Sequence, residues 1–224
     1  MPPRNLLAFL LLFLGLATPA RSDSLICGVM HAYGAYPLGP YSYAQQFTLH
    51  EWTALSSVSF LVYVGYPQPP SESFTVQLTN QIGPNTTSAN VLTSATTVAP
   101  QWATPATVSM PIVLSPGSYY FVLSSGSTYL ALSVGYAPAP SIINTAAGSV
   151  GSAFYSWTNS DFPPDASWYP AGQLTGHIPP VLIEFQLFGS QVPQPIPEPS
   201  SIVLVGTGLF VWAWKVARVG NPRH

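Results

Sequence analysis

Between Tyr155 and Tyr169 the chain gathers five aromatic side chains, Tyr155, Trp157, Phe162, Trp168 and Tyr169, interleaved with Asn159, Asp161 and Asp165 and followed by Gln173. Sugar rings bind where a flat aromatic face meets their C–H surface and nearby amides and carboxylates pair with hydroxyls, the combination of apolar area and a few polar groups usual in ligand sites. Trp157, Trp168, Tyr169, Asp161 and Asp165 are therefore the candidate glycan-binding residues. Of the two tryptophans, Trp157 is expected to behave as a core residue, since it follows Tyr155 at strand period. Trp168 is then partly exposed, because prolines on both sides hold it in a loop. Asn159, Asp161 and Asp165 also make a weak candidate Ca²⁺ site, but their spacing is not that of an EF-hand. Turn formation by Asn and Asp accounts for the same residues, so no metal or other cofactor is expected.

Catalysis has less to draw on. A nucleophile needs an oriented base beside it, and ahead of the C-terminal segment the chain offers His31, His50 and His177, with no G-x-S-x-G elbow. His50 and Glu51 are adjacent, but neighbouring side chains of a strand point to opposite faces. Glycoside hydrolysis needs two carboxylates about 5 to 10 Å apart, and Glu51, Glu72 and Glu184 fall on different predicted strands or turns. The single cysteine, Cys27, can make no internal disulfide. It follows Leu25-Ile26 rather than the small residue of a lipoprotein signal, so a free or buried thiol is expected. Thr86, Thr87, Thr93, Thr96 and Thr97 have no fixed spacing, which argues against a flat ice-binding array.

The elements that must carry these residues are strands. Prolines recur from Pro37 to Pro193, leaving almost no window with a helical period. Val58, Phe60, Val62 and Val64 alternate with Ser59, Leu61 and Tyr63, and Phe74, Val76 and Leu78 with Thr75, Gln77 and Thr79. Each pattern turns one row of side chains toward a core. Val108 to Leu114 and Ser118 to Leu123 flank Ser115-Pro116-Gly117, which predicts a hairpin. Further strands are expected at Gln46 to Trp52, Thr128 to Val134, Ala153 to Thr158 and Val181 to Phe188. The fold expected is all-β, a two-layer antiparallel β-sandwich.

All the basic residues lie at the two ends: Arg4 and Arg21, then Lys215, Arg218 and Arg223. Arg4 precedes the apolar run Leu6 to Leu16, which falls short of the roughly 20 residues a membrane span requires and matches a secretory signal helix. Ala20-Arg21-Ser22 supplies a small-x-small site for a signal peptidase. Near the other end, Val192 to Pro199 reads VPQPIPEP, an extended stalk. Ser201 to Trp214 reads SIVLVGTGLFVWAW without a charge and precedes the basic cluster, as in a transmembrane helix with a cytoplasmic basic tail. The segment between carries Asp23, Glu51, Glu72, Asp161, Asp165 and Glu184 with no Lys or Arg. Nucleic acid is excluded as a partner, because binding phosphates needs a basic face.

The order of motif, apolar helix and positive cluster resembles the PEP-CTERM sorting tail of Gram-negative bacteria, with Pro197, Glu198 and Pro199 as the sorting motif and Lys215, Arg218 and Arg223 as the basic tail. The resemblance implies recognition by an exosortase, a membrane transpeptidase-like enzyme that cuts near the motif. Similar tails occur on proteins with ice-binding names. The segments LSPGSYYFVLSS, QQFTL and VLIEFQLFG look like parts of secreted jelly-roll domains that carry assorted cell-surface anchors, which implies a jelly-roll-like sandwich. The organisation expected is a signal peptide (1–22), a β-sandwich ectodomain (23–190), a proline-rich stalk (191–199), a transmembrane helix (200–214) and a basic cytoplasmic tail (215–224). The function expected is that of an exported, non-enzymatic protein of the cell envelope or extracellular matrix. Signal peptidase and exosortase are its expected partners, and the inner membrane, reached through the C-terminal helix, is an intermediate station. The alternative is a carbohydrate-binding module that grips exopolysaccharide through residues 155–173, and a secreted enzyme ranks third.

Overall fold

The computed structural model describes residues 22–32, 34–39, 41–64, 72–100, 104–127, 130–135, 140–157, 163–174 and 181–193. Among these residues there is no α-helix, and no helix is long and apolar enough to cross a membrane. The expected transmembrane helix, the sorting motif and the basic tail lie outside the described residues, as does the expected signal helix apart from Ser22.

The strands in chain order are β1 (Ser24–Met30), β2 (Gly34–Pro37), β3 (Ser42–Leu49), β4 (Thr53–Val64), β5 (Ser73–Thr79), β6 (Val91–Val98), β7 (Thr104–Leu114), β8 (Gly117–Ser124), β9 (Leu130–Gly135), β10 (Ser141–Asn144), β11 (Gly148–Ser156), β12 (Tyr169–Pro170), β13 (Leu182–Ile183) and β14 (Phe185–Gln191). They form two antiparallel sheets, a β-sandwich-like arrangement. The eight-stranded sheet runs β10-β1-β14-β4-β9-β13, with β2 on β9 and β7 on β4. It curls into a half-barrel. β4 is long enough to pair with β14 over Thr53–Phe60 and with β9 over Val62–Val64. The second sheet has six strands in the order β12-β11-β3-β8-β5-β6.

The expected alternation is the packing rule. In β5, Phe74, Val76 and Leu78 are buried while Thr75 and Gln77 are half-buried, and in β4 Val58, Phe60 and Val62 are buried. The centre of the core is aromatic. Phe121 stacks on Phe47 at 4.7 Å and meets Phe60 and Phe185 edge-on at 5.7 and 6.1 Å, so rings from both sheets interlock. A buried polar side chain stands two residues before Phe47 on β3. Gln45 is fully buried and donates from Nε2 to the carbonyls of Gln46 (2.9 Å) and Gly151 (3.0 Å), while its Oε1 accepts the Ile183 amide at 3.0 Å. Gly151 lies where the register of β11 against β3 slips, so the amide satisfies backbone that the ladder leaves open and links the two sheets.

The expected hairpin at Ser115-Pro116-Gly117 is not formed. β7 pairs with β4 in the first sheet, whereas β8 pairs with β3 and β5 in the second. A turn signal reverses the chain without choosing the strand's partner, and here the reversal carries it across the sandwich. Tyr119 braces the corner by donating its hydroxyl to the Ser115 carbonyl at 2.9 Å. The strand expected over Gln46 to Trp52 instead spans Ser42–Leu49 and ends at His50 and Glu51, where the chain likewise changes sheets.

Candidate functional site

The aromatic residues converge at the end of β11. Tyr155 pairs in register with Tyr43 of β3 on one side and Tyr169 of β12 on the other, placing three tyrosines in one cross-strand row. Tyr41, just before β3, and Trp157, just after β11, extend the row past the end of the sheet. Tyr41 and Trp157 meet edge-to-face at 4.9 Å and 65°, Trp157 and Tyr155 at 5.9 Å and 70°, and Tyr155 lies 5.8 Å from Tyr169.

Exposure rises along this row from core to surface. Tyr43 and Tyr155 are buried, Tyr169 is 44 % exposed and Trp157 is 56 % exposed. The expectation that Trp157 is a core residue is therefore corrected. Its parity is that of Tyr155, but β11 stops at Ser156, and past the end of the strand the indole is left exposed.

Trp168 is half-buried and donates from Nε1 to the Pro164 carbonyl at 3.3 Å, in keeping with the partial exposure expected of it. Asp165 Oδ1 accepts the backbone N–H of Asn85 at 2.9 Å, and the Gly83 amide donates to the Pro164 carbonyl at 2.9 Å. Residues 163–166 are thus fastened to the β5–β6 connection, which gives Trp168 and Asp165 a structural task. Asn159 and Asp161 lie outside the described residues. Among the described residues no group of three His, Cys, Asp or Glu side chains could hold a metal.

The candidate carboxylates stand apart. Glu51 is exposed in the β3–β4 turn and Glu72 precedes β5. Glu184, at the joint of β13 and β14, accepts through Oε2 from the Ser133 hydroxyl (2.8 Å) and the Ala32 amide (3.1 Å) and so clamps the curled end of the first sheet. Sequence reasoning missed one pairing, His50 with Ser149. The imidazole lies 3.2 Å from the Ala146 carbonyl through Nδ1 and 3.2 Å from Ser149 Oγ through Nε2. This is the orientation of a base beside a hydroxyl, but His50 is exposed, without the water-excluded setting that acyl transfer exploits. Only the in-register position of β11 beside β3 could have revealed it.

An open cleft of about 580 Å³ lies at the opposite end of β11, lined by Ser24, Leu25, Thr145, Ala146 and Ser190 among others, with no ionisable side chain in its lining. The aromatic row lies at the other end of the strand, and the side chains of this cleft are uncharged. Cys27 is buried and free, its thiol pushed from 9.0 up to about 12 by burial. That makes it inert rather than nucleophilic.

Residues 195–218 match the family described as the PEP-CTERM protein-sorting motif. The match takes in Pro197, Glu198, Pro199, Lys215 and Arg218. No curated protein matches the chain. The motif implies an exosortase as processing partner and export toward the cell envelope or extracellular space.

Proposed function

We propose that this PEP-CTERM chain is a non-enzymatic component of the cell envelope or extracellular matrix, exported by its first 22 residues, held at the inner membrane by residues 200–214 and processed by an exosortase at Pro197-Glu198-Pro199. The observation that carries the reading is the sorting motif at 195–218, which coincides with the stalk, apolar segment and basic cluster in their required order. The β-domain supports it from the other side. Glu184 and Asp165 are engaged in holding loops and strands, and the His50–Ser149 pair stands in the open. The ladders nest, β1 with β14, β3 with β8, β4 with β7 and β5 with β6, which supports a jelly-roll-like ribbon widened by β11, a scaffold for display.

The test is to follow Glu198→Ala in the host. A linker substitution changes stability by less than about 0.5 kcal/mol, so the variant should fold like the parent yet accumulate unprocessed in the membrane fraction. Processing and release at the parental level would show that the tail is only an anchor.

A further inference from the structure

We propose that the exposed rings of Trp157 and Tyr169, backed by Tyr41 and Tyr155, form a docking surface for a neutral polysaccharide chain. The inference concerns the β-domain and does not rest on the sorting reading. Among the described residues the exposed large apolar side chains are Val98, Val113, Ile142, Trp157 and Tyr169. The three aliphatic ones stand on three different strands, β6, β7 and β10. The two aromatic ones both meet the ring of Tyr155, at 5.9 and 5.8 Å, and so make one patch.

The patch is built rather than loose. Edge-to-face contacts with Tyr41 and Tyr155 fix the plane of the Trp157 indole while more than half of the residue stays open to solvent. Tyr169 is held by the β11–β12 ladder. Rings already fixed lose little freedom when a ligand arrives.

Charge and size select the occupant. No Lys or Arg occurs between Arg21 and Lys215, so the β-domain has no permanent cation to set against the phosphates of a nucleic acid or the carboxylates of an acidic glycan. An aromatic side chain buries about 150–250 Å², so two exposed rings fall short of the roughly 800 Å² per partner of a stable protein interface. A thin chain with apolar C–H faces and a rim of hydroxyls fits, because each ring offers a flat face and each tyrosine a hydroxyl at its tip.

The full chain, solubilised in a polyoxyethylene detergent so that no sugar headgroup competes, can be titrated onto insoluble neutral glucans (cellulose, β-1,3-glucan, starch) and onto alginate. The expected result is retention on at least one neutral glucan that persists in about 1 M NaCl, where charges are screened beyond about 3 Å. Trp157→Ala should weaken it about tenfold or more and Tyr169→Ala several-fold, as for aromatic hot spots generally, with melting curves like the parent's. Val113→Ala should bind as the parent does. Three results would overturn the proposal: no retention on any neutral glucan, parental binding by Trp157→Ala, or salt-sensitive retention on alginate alone. A dimer seen in sedimentation and dissolved by Trp157→Ala would assign the patch to a second copy instead. None of these readouts depends on processing at Glu198, so sorting and binding can fail separately.

Discussion

Gln45 sits where a hydrocarbon would be the default, on the inner face of β3 beside Phe47. Replacing it with Leu preserves most of the volume but leaves the Ile183 amide and the Gly151 carbonyl without their side-chain partner. An unsatisfied buried polar group costs about 1–3 kcal/mol, and Gln45→Leu should lower the urea midpoint accordingly. Trp157 behaves in the opposite way. Its exposure predicts that Trp157→Ala changes stability by less than about 1 kcal/mol, whereas Phe121→Ala, at the ring cluster, should cost about 3–5 kcal/mol. Thermal melts of the two variants check the contrast. The identities of the aromatic residues were legible in the sequence, but the side of the boundary on which Trp157 falls was not. Period assigns a face, whereas the last residue of a sheet is decided by where the facing layer ends. Alkaline pH probes the same interior. Burial raises the Cys27 thiol from 9.0 to about 12 and also raises the Tyr43 phenol, whose neighbours Tyr41, Tyr36 and Tyr155 add to the effect. Such groups keep their protons in the fold at pH values where the unfolded chain releases them. Stability is therefore full below about pH 9 and falls as pH climbs toward 12. Cys27→Ala should flatten that fall in a series of urea melts.

At the scale of elements, β4, β5, β8 and β14 were readable because alternate apolar residues of each pack into the core. β6 was not, since Val91–Val98 is a Thr- and Ser-rich edge strand with no buried residue. β1 was hidden for a different reason. It lies between β10 and β14 and needs Gly28, where an added Cβ would stand 2.6 Å from the Phe185 carbonyl oxygen. Gly189 carries the same constraint on β14, at the slip in its pairing with β4, where a Cβ would collide with the Ala54 carbonyl oxygen. Gly189→Ala should therefore part the two central strands and cost about 1–3 kcal/mol, as overpacking does. Faster amide exchange confined to β4 and β14 would identify the site of damage. The crossing at Ser115-Pro116-Gly117 was invisible for a topological reason: local residues specify the reversal, and only the other strands specify which sheet receives it. Of the proposed site, the Tyr155–Tyr169 pairing was the part that no local pattern contained, since β12 is a two-residue strand.

For the whole molecule, the separation of charge has a direct analytical signature. With no Lys or Arg between Arg21 and Lys215, trypsin should leave the β-domain as a single large fragment even after denaturation. Intact mass of the mature protein should show loss of Arg4 and of Arg218. Recovery with Arg4 attached would count against export through the first 22 residues. The placement of the last strand adds a mechanical property. β14 leads directly into the chain beyond Val192, and it is hydrogen-bonded along both sides, to Ser24–Val29 of β1 and to Thr53–Phe60 of β4. Tension applied along the axis of β14 through that tether loads two ladders in shear at once, so their bonds must yield together rather than peel one by one. Resistance to such a pull is a matter of unfolding rate rather than equilibrium stability. A pull on the C-terminal segment would, by this arrangement, be borne by a strand bonded along both of its edges.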